Sequence, residues 1–137
     1  MGWLFSVLLT RIENNQPIEA QELYDFVVAA IVKQGRPSVG DNDRCLYRGP
    51  DGLKCAYGHV HPDSMYSENM ENCDINELSD RNMLPKSLIR HAALLSRLQV
   101  CHDIPASING FTFIKSFCHN ANEVAKKYNL KPHGETP

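Results

Sequence analysis

Between Arg44 and Met65 the chain gathers side chains that could do chemistry: RCLYRGPDGLKCAYGHVHPDSM carries Cys45, Cys55, His59 and His61 together with Arg44, Arg48 and Lys54. Four soft or borderline ligands in one short stretch invite a zinc reading. The nine-residue gap between Cys45 and Cys55 lacks the tight C-x2-C knuckle of a zinc signature, so the expected state is no cofactor, with zinc as the alternative. The competing reading makes both cysteines small buried hydrophobes packed with Tyr47 and Tyr57. A second set lies in the last third of the chain, where His91 and His102-Asp103 share an expected helix. Eleven helical residues put the two imidazoles about 16 Å apart, too far to meet on one ligand atom. A Cys/His catalyst would need Cys55 brought to His102, which no spacing in the chain dictates.

Those residues need elements to position them. Trp3, Leu4, Val7, Leu8 and Ile12 recur at helical spacing, and Glu13-Asn14-Asn15 breaks the pattern. A second helix follows Pro17, with Leu23, Val27, Ala30 and Ile31 as its apolar stripe and Gly35 as its stop. Residues 44–58 switch to period two around Gly49-Pro50-Asp51-Gly52, a type I turn signal that predicts a small β-hairpin with Gly49 opposite Leu53 and a bulge at Gly52. One face of that hairpin would carry Cys45, Tyr47, Cys55 and Tyr57, the other Arg48 and Lys54, with Arg44 along the same edge. Residues 62–84 suggest short helices or loops. Pro85 opens a third helix whose Leu84, Leu88, His91, Leu95, Leu98 and His102 share one side. A fourth buries Ile114, Phe117, Cys118, Ala121, Val124, Ala125 and Tyr128. The expected fold is mainly α with a small β-hairpin, a single-domain bundle of about four helices over 1–137, with 131–137 as a disordered tail.

Charge narrows the function. A net charge of −2 over 137 residues argues against a general polyanion binder. With no helix-turn-helix carrying a basic recognition helix, nucleic acid is not the expected partner. The charges are uneven: Asp63 to Asp80 holds six acidic residues and no Lys or Arg. In the expected hairpin Arg48 faces Lys54, a like-charge pair that needs a negative partner. That partner is internal, Asp51 or the acidic run, or it is a phosphate, a nucleic-acid backbone or an acidic protein surface. Five scattered cysteines and no signal peptide suggest reduced thiols in the cytoplasm, and no segment is long and apolar enough to expect a membrane partner. Trp3, Leu4, Phe5, Val7 and Leu8 offer more apolar surface than one face needs, which would suit a homodimer.

Three pieces of the chain belong together in a recognisable pattern. They are Gln34-Gly35-x-x-Ser38, then Cys45-x-Tyr47-Arg48-Gly49-x-Asp51-Gly52-x-Lys54-Cys55-Ala56-x-Gly58, then Leu98-Gln99-x-x-His102-Asp103 ahead of a Phe-rich helix. With them the chain resembles a group of small uncharacterised proteins encoded by bacteriophages and prophages, over most of residues 20–130. Tyr57 and His61 stand where that group's pattern has aliphatic residues. The resemblance implies a phage setting, in which proteins of this size are accessory binders that inhibit or redirect a host macromolecule, a protein foremost. The contact residues expected on that reading are Arg44, Arg48 and Lys54, with Tyr47 and Tyr57 adding apolar contact where their rings are exposed. The alternatives are a binder of a phosphorylated small molecule, such as a nucleotide signal, and a metal-dependent hydrolase.

Overall fold

A computed structural model of the protein describes residues 2–106 and 110–134, and for residues 2–6, 110 and 111 the backbone alone. Of the five residues on which the homodimer expectation rests, the side chains of Trp3, Leu4 and Phe5 lie outside the described residues, as do residues 135–137 of the expected tail. Leu8 is buried in the core and Val7 is half-buried. Five α-helices dominate: α1 (Gly2–Glu13), α2 (Ala20–Gln34), the short α3 (Ile75–Asp80), α4 (Ala92–Ala106) and α5 (Gly110–Lys127). None is long and apolar enough to cross a membrane.

Local chemistry explains the helix ends. α2 begins at Ala20, three residues later than a first-turn Pro17 suggested, behind the N-cap Glu19, whose capping box joins it to Glu22. It stops at Gly35 in the left-handed conformation. α3 has the same device in Asp74 and Glu77. Residues Lys86–His91, expected as the first turns of the third helix, are instead wound as a 3-10 segment leading into α4. The side chains still share one side, because Leu88, His91, Leu95, Leu98 and His102 are all buried. The core joins Leu23, Val27 and Ile31 of α2 to Leu95 and Leu98 of α4 and to Phe113, Phe117, Ala121 and Ala125 of α5. Each large aliphatic or aromatic side chain buried there contributes about 1.5–3 kcal/mol. Lys131 and His133, expected in the disordered tail, are tied back to α2. The Lys131 amide donates to Gln21 Oε1 at 2.9 Å and the His133 amide to the Tyr24 hydroxyl at 3.2 Å.

The β-hairpin does not form. Among the described residues there is no strand, only an isolated antiparallel bridge between Val39 and Cys45. The turn itself survives: the Gly49 amide donates to the Leu53 carbonyl at 2.8 Å. Asp51 (φ 59°) and Gly52 (φ 76°) are both left-handed there, which is not the type I geometry expected. Pairing goes no further because side chains take the ladder's place. Gln34, at the end of α2, accepts from the Lys54 amide at 3.0 Å and donates to the Lys54 carbonyl at 2.9 Å, as a neighbouring strand would. Glu71 accepts from the amides of Tyr47 at 2.9 Å and Arg48 at 3.1 Å. Arg48 and Lys54 are thus never backbone partners, and the repulsion a hairpin would impose is avoided.

Residues 44–63 then fold inward as irregular chain rather than outward as a ribbon. Gly58 marks the closest approach of backbone to backbone there, since a Cβ on it would stand 2.5 Å from the Tyr47 carbonyl oxygen. The obstructing atom belongs to backbone held by Glu71 and cannot swing away. Gly58→Ala is expected to cost about 2–3 kcal/mol in urea unfolding, whereas an unchanged midpoint would show that the two segments do not pack this closely.

Candidate functional site

The irregular block is fastened from several sides by polar side chains of the surrounding elements. Ser38 donates its amide to His102 Nε2 at 3.0 Å and its hydroxyl to the Leu46 carbonyl at 2.8 Å. Gln99 of α4 accepts from the Tyr57 amide at 2.8 Å and donates to Asp103 Oδ1 at 2.7 Å. His102 lies against the same oxygen, Nδ1 to Oδ1 at 2.9 Å. A backbone amide can only donate, so Nε2 carries the lone pair and Nδ1 the proton. His102 is therefore a neutral imidazole with both nitrogens engaged.

Beside these fasteners lies a pit of about 230 Å³. Tyr47, Cys55 and Gln99 form its buried floor, half-buried Cys45 and Cys73 its walls, and Asn72, Asp74 and Asp103 its more exposed rim. The expected grouping of Cys45, Tyr47 and Cys55 is thus real without a hairpin to create it. Tyr57 sits behind them, edge-on to Tyr47 at 5.8 Å. The cysteines are not nucleophiles at neutral pH. Burial first, then the field of Asp103 and a hydrogen bond to it, pushes the Cys45 thiol up to about 12. Burial likewise pushes Cys55 up. Both stay protonated.

The four residues of the zinc reading do not converge. The described His, Cys, Asp and Glu atoms that come within 4.8 Å of one another as a trio are those of Cys45, His102 and Asp103. A ligating histidine turns a lone pair to the metal and donates with its other nitrogen. His102 does the reverse, accepting from Ser38 and donating toward the trio, so this arrangement suits a proton rather than a metal ion. His61 is buried between the Tyr57 hydroxyl (2.8 Å) and the Met65 carbonyl (3.1 Å). The two positions that depart from the phage pattern, Tyr57 and His61, are thus each other's partners.

Of the expected contact residues, Arg48 is turned inward. Its guanidinium donates to the carbonyls of Gly58 and His61, each at 2.8 Å, and to Asp63 Oδ1 at 2.8 Å. It also lies 5.1 Å from the centre of the Tyr66 ring. Asp63, at 3.8 Å from Lys54 Nζ, answers both cations, so the negative partner comes from the acidic run and not from Asp51, which pairs with Arg36. Tyr57 is fully buried and its ring forms no contact surface, while the nearly fully buried Tyr47 reaches outward only where it lines the pit. Arg44 is exposed, its guanidinium donating to Asn72 on the pit rim. Lys54 keeps a partly exposed side chain. Sequence reasoning did not single out Glu71, one carboxylate among six in the run offered as an internal partner for Arg48 and Lys54. Gln34, Ser38 and Gln99 were already present in the motif pieces, though without a role.

No protein-family profile, curated protein or solved structure matches the chain.

His59, next to the block, has a buried Nε2 without a hydrogen-bond partner. Burial first, then the charges of Lys54 and Arg48, pulls its imidazole down from 6.5 to about 4. A lowered folded value means the unfolded chain binds the proton first as pH falls. The stabilisation is complete above about pH 6.5 and is lost as pH falls toward about 4. The melting temperature of the wild type should decline across that window, and His59→Gln should decline less. Equal slopes would contradict the burial of His59.

Proposed function

We propose that the chain is a phage-type accessory protein that acts by binding a host macromolecule, a protein foremost, and so inhibits or redirects it. One observation carries this reading: the acid–base and thiol groups gathered at the centre are already spent on holding shape. His102 has no free nitrogen, Asp103 Oδ1 is shared between His102 and Gln99, and the thiols of Cys45 and Cys55 are kept protonated. Fixed shape with little free chemistry suits recognition better than turnover. A phosphorylated ligand is disfavoured at the pit, where Asp74 and Asp103 contribute negative charge and no Lys or Arg lines the wall. The hydrolase alternative loses support from the orientation of His102.

Contact by the basic side chains now rests on Arg44 and Lys54. Arg48 cannot serve as a clean test of binding, because removing it strands two carbonyls and the Asp63 carboxylate. The experiment is capture from bacterial host lysate on immobilised full-length chain, comparing wild type with Arg44→Glu/Lys54→Glu. The reading predicts one host protein retained at a fixed ratio and weakened by about tenfold or more in the double variant. Retention unaffected by the charge reversal would remove these residues from the contact, and no retained macromolecule at all would contradict the function.

A further inference from the structure

We propose that the pit rimmed by Asp74 and Asp103 receives an organic cation: an ammonium or guanidinium on a short apolar stem, the chemistry of a Lys or Arg side chain presented by a partner protein. The inference rests on the binding reading above and specifies one contact within it. A volume of about 230 Å³ suits a single side chain and is too small for a nucleotide. The floor of Tyr47 and Cys55 is buried and offers an aromatic ring and a protonated thiol, which suit the apolar stem.

The charge of the rim is unanswered. Asp74 uses Oδ1 to cap α3, accepting from the Glu77 amide at 2.8 Å, and Asp103 uses Oδ1 for Gln99 and His102. Neither is paired with a Lys or Arg among the described residues. The cation on the rim, Arg44, is engaged with Asn72. Glu71 adds a third negative charge behind Tyr47. The hydroxyl of Tyr47 registers this setting: burial above all, then Cys55 and the carboxylates of Asp103, Glu71 and Asp74, push it up. Two carboxylates beside a preformed hollow, with no Lys or Arg among the described residues within ion-pair distance, attract a cation and repel a phosphate by the same field. Protein interfaces commonly answer such charge with a basic side chain whose apolar stem is packed and whose head is paired.

The test is a titration of isotope-labelled full-length chain, followed by NMR, with n-butylammonium chloride, n-butylguanidinium chloride and the neutral isostere n-butanol. Both cations should shift the amide signals of Tyr47, Cys55 and Asp74 and the side-chain amide of Gln99 saturably, with n-butanol about fivefold weaker or worse. Asp74→Asn keeps the helix cap and removes the charge, and it should weaken the cations by about fivefold. Equal binding of n-butanol, indifference to Asp74→Asn, or shifts spread without saturation over Glu68, Glu77 and Asp80 would overturn the proposal. So would displacement of n-butylammonium by stoichiometric zinc chloride, which would make the pit a metal site. The titration needs no host partner, so failure to capture one leaves its result standing. Conversely, a captured host protein that binds Asp74→Asn as tightly as wild type defeats the pit contact and spares the broader reading.

Discussion

An irregular segment that runs through a protein interior must find a partner for every amide and carbonyl it takes out of water, and each one left unpaired costs about 1–3 kcal/mol. In this chain residues 44–63 face that constraint without a ladder or an α-helix, with only single 3-10 turns at Pro50–Gly52 and Tyr57–His59. The answer is borrowed from side chains: Gln34 for Lys54, Glu71 for Tyr47 and Arg48, Gln99 for Tyr57, and Arg48 for Gly58 and His61. Glu71 serves a third donor as well, since its carboxylate also accepts from the Tyr66 hydroxyl at 2.8 Å. Charged acceptors make stronger hydrogen bonds than neutral ones, which suits a clamp that replaces two ladder bonds at once.

The same fastening settles the electrostatics. Arg48 is consumed by carbonyls and Asp63, so the basic character of the block shrinks to Arg44 and the partly exposed Lys54. On the other side, carboxylates that serve as caps and acceptors leave charge uncompensated around the pit. A chain of net charge −2 thereby presents a small acidic hollow beside a rim cation. His102 and the thiols lose their reactivity to the architecture: the proton on Nδ1 is dictated by the Ser38 amide, and burial with Asp103 keeps Cys45 a thiol.

Helices were legible because their signals are local. The stripes of α2, α4 and α5 and the glycine stop of α2 appear where periodicity and capping put them, as does the turn at Gly49-Pro50-Asp51-Gly52 with its bond to Leu53. The hairpin was not legible, since period two in residues 44–58 is shared by a strand and by an extended loop lying in a groove. The distinction was made by residues far away in sequence, Gln34 and Glu71, and nothing in a run of acidic residues singles one out to turn inward. The meeting of Cys45 with His102 and Asp103 is equally non-local. Yet the motif pieces around Ser38, Gln99 and His102 converge on the block, which supplies a structural reason for their occurring in one chain.

Native-state hydrogen exchange at the amides of Tyr47, Arg48, Lys54 and Tyr57 tests this account most directly. If side chains substitute for a ladder, these four exchange as slowly as core amides of α2 and α4 although their donors bond to no strand or α-helix backbone, and Glu71→Ala releases Tyr47 and Arg48 selectively. Exchange at the rate of exposed loop amides in the wild type would contradict the clamp.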